Sequence, residues 1–215
     1  MSDVPARVVW PSFKRSLVAI LRGIKPEEVE ASVETLIEAG FEAIEIPLNS
    51  PDAFRSIASA VRLGGPEHYI GAGTVLTPEQ VDRLAEAGGR LLVSPNVDAS
   101  VLRRAAAHGM VTMPGVFTPT EAFQAIAAGA SALKFFPASV LGPSGVSAIR
   151  AVLPNDIEIG VVGGVSEDDF EGYAKVGVRS FGLGSSLYKP GMSVGEIRER
   201  ADKAVLLYDR VCGLR

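Results

Sequence analysis

The sequence predicts a single (β/α)8 barrel, the TIM-barrel form of the α/β class, in which eight parallel strands alternate with helices. Short apolar runs alternate along the chain with longer segments of helical periodicity, as expected of parallel strands joined by right-handed crossovers. The runs begin about 20 to 27 residues apart, the length of one strand, one helix and two short loops. Eight such units fill residues 1–215 as one domain.

Eight apolar runs of strand length predict buried strands. They span residues 17–21, 43–48, 69–75, 91–95, 111–116, 132–137, 157–164 and 180–187. The clearest helical segments between and after them are 26–39, 78–87, 99–108, 119–128 and 194–211. An open doubly wound sheet is the alternative fold, and it is disfavoured because no Gly-x-Gly-x-x-Gly pattern follows the first run.

Glycines mark the ends of the predicted helices. A glycine in the left-handed backbone conformation commonly follows the last turn of a helix. Five glycines stand in such places, each a few residues before an apolar run: Gly40, Gly88, Gly109, Gly129 and Gly177. We therefore expect a positive φ at each of them.

The segment before the first strand, residues 2–15, is predicted to be a short amphipathic helical lead-in. Trp10 and Phe13 stand at helical spacing within it. Two large aromatic side chains on one face would plug one end of the barrel.

The composition predicts a cytoplasmic protein with a substantial core. Hydrophobic residues make up 47% of the chain and charged residues 21%, with a net charge of -4 that is not obviously clustered. A nucleic-acid partner requires a basic patch and a spanning helix about 20 apolar residues, so neither nucleic acid nor membrane is an expected partner. The amino terminus does not resemble a signal peptide, and the single cysteine, Cys212, forms no internal disulfide.

Lys134 is the first candidate catalytic residue. It lies in the run 132–137, where its neighbours are apolar. Lysine is seldom buried, and desolvation lowers the pKa of its ammonium group, so Lys134 is a candidate imine-forming nucleophile. The alternatives are an ammonium that reaches water at the strand end, or one that pairs structurally with a buried carboxylate.

Other polar residues interrupt the apolar runs near the ends at which a barrel carries its reactive groups. Glu45 and Lys134 alternate with apolar residues, so both are predicted to point into the barrel. Glu45 is a candidate general acid and base, or else a structural partner of Lys134 or Arg22. Arg22 and Thr74 end the first and third runs and suit a substrate carboxylate, although an exposed, solvated Arg22 is the alternative.

The seventh and eighth units carry glycine-rich turns. Gly163 and Gly164 follow one strand, and Gly184 and Ser185 follow the other. Barrels often bind phosphate at these two places, where glycine lets backbone N–H groups approach an anion. Metal chemistry is not predicted, because His68 and His108 lie away from the expected catalytic end.

Seven motifs carry a family resemblance. They are Ile20-Leu21-Arg22-Gly23, Glu45-Ile46-Pro47-Leu48-Asn49-Ser50-Pro51, Gly71-Ala72-Gly73-Thr74-Val75, Ser94-Pro95-Asn96, Pro114-Gly115, Leu133-Lys134-Phe135-Phe136-Pro137 and Gly163-Gly164. In order and spacing they resemble the 2-keto-3-deoxy-6-phosphogluconate and phosphogalactonate aldolase family, over about residues 17–190.

The resemblance implies a metal-independent class I aldolase that uses no cofactor and forms a homotrimer. It implies that Lys134 forms the imine, that Glu45 is the general acid and base, and that Arg22 and Thr74 lie near the pyruvate carboxylate. It also implies a phosphate site built from Gly163, Gly164, Gly184 and Ser185.

Two departures resemble the phosphogalactonate branch of that family. The phosphogluconate enzymes usually carry Val-Thr-Leu-Arg-Thr on the second strand and Pro-Thr-Gly-Gly on the seventh, where this chain has 46–50 as Ile-Pro-Leu-Asn-Ser and 161–164 as Val-Val-Gly-Gly. The two substrates differ in configuration at C4. Val162, in place of threonine, is a candidate discriminator because it cannot hydrogen-bond a hydroxyl.

The expected reaction is therefore reversible cleavage of 2-dehydro-3-deoxy-6-phospho-D-galactonate to pyruvate and D-glyceraldehyde 3-phosphate. The C4 epimer, 2-dehydro-3-deoxy-6-phosphogluconate, is the nearest alternative substrate. A barrel that only binds a phosphorylated sugar, or a phosphosugar isomerase or synthase, remains as a different class of function in which Lys134 is structural.

Overall fold

The computed structural model describes residues 7–213, which form a closed barrel of eight parallel strands in sequence order. The strands are β1 Leu17–Ile20, β2 Ala43–Pro47, β3 Tyr69–Gly73, β4 Leu91–Ser94, β5 Val111–Val116, β6 Ala132–Phe135, β7 Glu158–Val162 and β8 Ser180–Leu183. The last strand pairs with the first, Val18 beside Gly182, and this pairing closes the sheet. The (β/α)8 prediction is confirmed, and the open doubly wound alternative is wrong.

Helices follow the strands and form the outer layer. They are α1 Val29–Ala39, α2 Ala53–Leu63, α3 Pro78–Glu86, α4 Ala99–Ala107, α5 Pro119–Ala127, α6 Ala138–Arg150, α7 Phe170–Lys175 and α8 Val194–Cys212. Short 3-10 helices, Pro26–Glu28 and Glu167–Asp169, precede α1 and α7. Among the described residues, no helix is both long and apolar enough to cross a membrane.

The predicted boundaries are accurate at the strand starts and too long at most strand ends. The sequence predicts strand throughout the run 157–164, yet β7 ends at Val162 because Gly163 and Gly164 take positive φ values of 92° and 72°. All five glycines expected to end helices do have positive φ. The apolar pattern continues past the strand ends because residues such as Leu21, Val75 and Leu187 pack into the hydrophobic core.

The predicted helical lead-in is partly wrong. Residues 7–15 contain no helix, and residues 2–6 lie outside the described part of the chain. Pro11 has no N–H to donate within a helix, and the chain instead turns sharply where Phe13 N–H donates to the Pro11 carbonyl at 2.9 Å. Trp10 and Phe13 nevertheless stack edge to face, with ring centroids 5.6 Å apart, and pack inside one end of the barrel as predicted.

Two apolar layers surround the strands. Outward-facing side chains such as Ile44, Leu133 and Phe135 pack against the helices in one large cluster. Inward-facing residues at the amino ends of the strands form a smaller cluster beneath Trp10 and Phe13. Further along the strands, several inward positions are held by glycine instead: Gly71, Gly73, Gly115, Gly160 and Gly182. The barrel is therefore filled at one end and open at the other.

Helix α8 fastens the first and last strands together. The Tyr208 hydroxyl donates to the Arg179 carbonyl at 3.0 Å and accepts from the Ser16 N–H at 3.1 Å. Arg15 forms a two-pronged ion pair with Asp209, with both N–O distances at 2.7 Å. The final helix thus holds the seam where β1 meets β8.

Candidate active site

A cavity of about 600 Å³ opens at the carboxyl ends of the strands. All seven residues that the sequence predicts to bind substrate line it: Arg22, Thr74, Val162, Gly163, Gly164, Gly184 and Ser185. The two predicted catalytic residues, Lys134 and Glu45, are not part of this lining and lie deeper. Each is separated from the cavity by a neighbour. Phe136, which lines the cavity, lies over Lys134. Thr74, which also lines it, follows Gly73, and Gly73 packs against Glu45.

Lys134 is buried on β6, with 6% of its surface exposed. It pairs in the sheet with Gly115 of β5 and Gly160 of β7, so the flanking inward positions carry no side chain. Burial lowers the pKa of Lys134 to about 8, and the nearby Glu45 carboxylate partly opposes that shift. Its Nζ lies 4.9 Å from the centroid of the Phe136 ring, a cation–π contact at the floor of the cavity.

Glu45 is buried on β2, with 3% of its surface exposed. Burial raises its pKa to about 7, and the positive charges of Lys134 and Arg22 limit the rise. Its Oε2 has no hydrogen-bond partner within the described residues. A side chain at position 73 would overlap the Glu45 carboxylate, so Gly73 provides the space that this carboxylate occupies.

The two pKa shifts make the pair suitable for proton transfer. Burial that lowers the pKa of Lys134 to about 8 makes a larger fraction of the amine neutral near neutral pH than in an ordinary lysine of pKa 10.5. A carboxyl group of pKa about 7 exists in both protonation states near neutral pH. The site therefore supplies a nucleophilic amine beside a group that can accept and return a proton.

Arg22 and Thr74 lie at the mouth of the cavity, on the side of Glu45. Arg22 is exposed, which agrees with the alternative prediction of an exposed, solvated side chain. Its guanidinium nevertheless donates a hydrogen bond to the Asn49 side-chain carbonyl at 2.9 Å. Thr74 has a positive φ of 57°, an uncommon conformation for a residue with a branched β-carbon. Such backbone strain is typical of functional sites, and here it turns the chain at the end of β3.

Sequence reasoning missed several lining residues. Phe136 was identifiable, because two-residue alternation places it on the same side of the chain as Lys134. Tyr188, Lys189 and Pro190 also line the cavity, from the loop between β8 and α8. That loop has no periodic pattern, and its position is set by contacts such as the Tyr188 hydroxyl to Glu28, 3.3 Å apart.

The described residues offer little for a metal. No group of three or more histidine, cysteine, aspartate or glutamate side chains lies together within residues 7–213. The donors that do converge on the cavity are a guanidinium, an ammonium group and backbone N–H groups, which suit anionic oxygens.

A buried amine and carboxylate beneath an anion-compatible cavity, at the carboxyl end of a (β/α)8 barrel, suit the chemistry of a barrel aldolase. The chain belongs to the family described as KDPG and KHG aldolase, whose family model matches residues 13–201.

Three similar proteins illustrate that membership. A probable 2-dehydro-3-deoxy-6-phosphogalactonate aldolase of Rhizobium meliloti (strain 1021) is 67% identical over 96% of this chain and 98% of its own. The 2-dehydro-3-deoxy-6-phosphogalactonate aldolase of Escherichia coli (strain K12) is 49% identical over 91% of this chain and 95% of its own. A solved structure described as native KDPGal is 48% identical, with a TM-score of 0.92 over 96% of this chain and 100% of that one.

The coupling between Glu45 and Lys134 makes a prediction about Glu45→Gln. The Glu45 carboxylate stabilises the ammonium form of Lys134, so replacing it with a neutral amide should lower the pKa of Lys134 below about 8. The measurement is a pH titration of the lysine Cε chemical shift by ¹³C NMR, with the Lys134 signal assigned from Lys134→Met. Glu171→Gln is the matched control, because Glu171 pairs with Lys175 on the surface. An unchanged or raised pKa in Glu45→Gln would contradict the coupling.

Proposed function

We propose that this protein is a class I aldolase that reversibly cleaves 2-dehydro-3-deoxy-6-phospho-D-galactonate to pyruvate and D-glyceraldehyde 3-phosphate. The observation that carries the proposal is the buried Lys134 and Glu45 pair, in which burial lowers the pKa of the amine to about 8 and raises the pKa of the carboxyl group to about 7. Family membership and the names of the similar proteins support the reaction type and the substrate. The proposal treats residues 1–215 as one catalytic domain.

The reaction begins with imine formation. Neutral Lys134 Nζ attacks the C2 ketone of the substrate and gives a carbinolamine. Glu45, in its protonated form, donates a proton to the departing hydroxyl, and water leaves. The resulting iminium is an electron sink next to the bond that must break.

Cleavage then occurs between C3 and C4. The Glu45 carboxylate takes the proton from the C4 hydroxyl, directly or through water, and the C3–C4 electron pair moves into the iminium to give an enamine. D-Glyceraldehyde 3-phosphate leaves as the aldehyde. Glu45 returns its proton to C3, and hydrolysis of the new iminium releases pyruvate and restores the Lys134 amine.

The two charged ends of the substrate have matching groups in the cavity. Arg22 and Thr74 are proposed to hold the carboxylate next to C2, because Arg22 offers a fork of N–H donors and Thr74 a hydroxyl. Gly163, Gly164, Gly184 and Ser185 are proposed to hold the phosphate. They line the same cavity from the β7 and β8 ends.

The experiment that tests the mechanism is borohydride trapping with pyruvate. We expect wild-type protein to gain one reduced pyruvate adduct, which peptide mapping assigns to Lys134, because reduction of the imine makes the C–N bond permanent. Lys134→Met should give no adduct and no cleavage, while Lys175→Met, a surface lysine in an ion pair with Glu171, should behave as wild type.

An adduct on another lysine, or none in wild type, would contradict the imine mechanism. If cleavage were absent but the phosphorylated sugar still bound, the alternative of a binding barrel would replace the proposal. An isomerase or synthase would instead show turnover that survives Lys134→Met.

Val162 generates a second prediction, on the choice between the C4 epimers. It is 8% exposed, lines the cavity, and packs over Gly182. Val162→Thr keeps the shape and adds a hydroxyl, so the ratio of kcat/KM for the galactonate epimer to that for the gluconate epimer should fall about tenfold or more. Val165→Thr, at another buried position of the same cavity, is the control. An unchanged ratio in Val162→Thr would remove Val162 as the discriminator, and a wild-type preference for the gluconate epimer would favour the alternative substrate.

We also propose that the protein lies in the cytoplasm, which cell fractionation would test.

We further propose that the protein is a homotrimer. Several exposed apolar side chains support a subunit contact, and four of them lie on loops and helices that follow β3, β5 and β6: Leu76, Phe117, Phe123 and Val140. Sedimentation equilibrium should give about three times the 22.5 kDa subunit mass. Phe123→Asp should reduce that mass, because it buries a charge in the contact, whereas Val152→Asp, exposed elsewhere on the barrel, should not. A monomeric wild type would contradict the trimer.

A further inference from the structure

The proposed phosphate site is made of backbone, and its N–H groups are available. Gly164 and Ser185 line the cavity, and Ser186 follows. Within the described part of the chain, the N–H groups of these three residues donate to no acceptor. Such free donors on adjacent loops can bind an anion only if the loops are held so that the donors converge.

Hydrogen bonds to the carbonyl groups hold these two loops. The Gly163 carbonyl accepts from the Ser139 N–H at 3.0 Å, at the start of α6. The Gly184 carbonyl accepts from the N–H groups of Leu187 and Tyr188, both at 2.9 Å. The carbonyl oxygens at these turns are thus engaged within the protein.

Arg200 on α8 completes this arrangement from outside the barrel. It is half-buried, and its Nη1 donates to the carbonyl oxygens of Ser185 at 3.3 Å and Ser186 at 3.2 Å. The Ser186 hydroxyl in turn donates to the Val165 carbonyl at 3.1 Å, which ties the β8 loop to the β7 loop. One guanidinium therefore fixes the loop that carries half of the proposed phosphate site.

The guanidinium also acts on the donors themselves. The Ser185 carbonyl and the Ser186 N–H belong to the same peptide group, so a cationic donor on that oxygen polarises the N–H on the other side. The positive charge behind the loop adds a favourable field for an anion in front of it. Arg198, two residues away, instead forms ion pairs with Asp202 and Glu38 and does not contact the loop in the described residues.

We propose that Arg200 is a positioning residue for the substrate phosphate, which acts through the Ser185 and Ser186 carbonyl groups and does not touch the substrate. This assignment rests on the proposed function, because it takes the phosphorylated end of the substrate to bind at these loops. In this assignment Arg200 affects the binding of the substrate phosphate, and the chemistry at Lys134 does not depend on it.

The test compares Arg200→Gln with Arg198→Gln, two changes on one helix. For Arg200→Gln we expect KM for the phosphorylated substrate to rise about fivefold to tenfold, with kcat within about twofold, because the loop loses a charge-assisted hydrogen bond. We expect inorganic phosphate to raise the Tm of the wild type, and we expect this rise to be lost or greatly reduced in Arg200→Gln. The rate of pyruvate adduct formation should not change, since pyruvate carries no phosphate. Arg198→Gln should match wild type in all three.

Arg200→Lys provides the conservative variant, and it decides the matter if Arg200→Gln does not fold. It keeps the charge but has no planar fork, so it should restore part of the phosphate effect. The assignment would be overturned if Arg200→Gln had both the wild-type KM and the wild-type stabilisation by phosphate. If Arg200→Gln is unfolded, the same two results in a folded Arg200→Lys would overturn it. An equal loss of pyruvate adduct formation would overturn it also, because it indicates general damage to the site. If wild type forms no adduct at all, the proposed function fails, and the phosphate-induced Tm shift still decides the role of Arg200.

Discussion

The burial of two opposite charges without solvation is the constraint on which this barrel depends. Lys134 and Glu45 are each less than a tenth exposed, and both pKa values move toward neutrality. Between pH 4.5 and about 7 the folded protein binds more protons at Glu45 than the unfolded chain, so stability at that site falls as pH rises. Between about 8 and 10.5 the unfolded chain binds more protons at Lys134, so stability at that site rises with pH. The pair therefore destabilises the fold most near neutral pH.

The rest of the barrel compensates for the destabilisation by this buried pair, because its interior has two different parts. At the amino ends of the strands, Trp10 and Phe13 seal a packed apolar layer that gives the sheet its stability. At the carboxyl ends, inward-facing glycines leave room for the pair and for the cavity, with Gly73 directly against the Glu45 carboxylate. A barrel packed throughout would be more stable and would have no site.

The sequence predicted most of the fold and the buried, inward positions of Glu45 and Lys134, because strands and helices have regular periods. Alternation placed Glu45 and Lys134 inside the barrel because strands have a period of two whatever the tertiary context. The prediction of a helical lead-in was wrong for residues 7–15. Trp10 and Phe13 are spaced as they would be on one face of a helix, but the same two side chains can also pack into the barrel end from a turn. Pro11, which lies between them, favours the turn. The positive φ of Thr74 leaves no trace in the sequence, since threonine seldom adopts it.

The two ends of the cavity differ in how they are held, and this explains why the sequence indicated residues at both ends but the geometry of only one. The Lys134 end is positioned by the strands themselves, so its geometry follows from the repeat of the chain. The proposed phosphate end is positioned by loops whose donors are backbone groups, and a loop has no geometry of its own without tertiary contacts. Those contacts include the Ser139 N–H of α6 on the Gly163 carbonyl and Arg200 of α8 on the β8 loop. The same helix contacts the residues before β1 and β8 through Tyr208, so the last helix supports both the seam of the barrel and the loop proposed to bind phosphate.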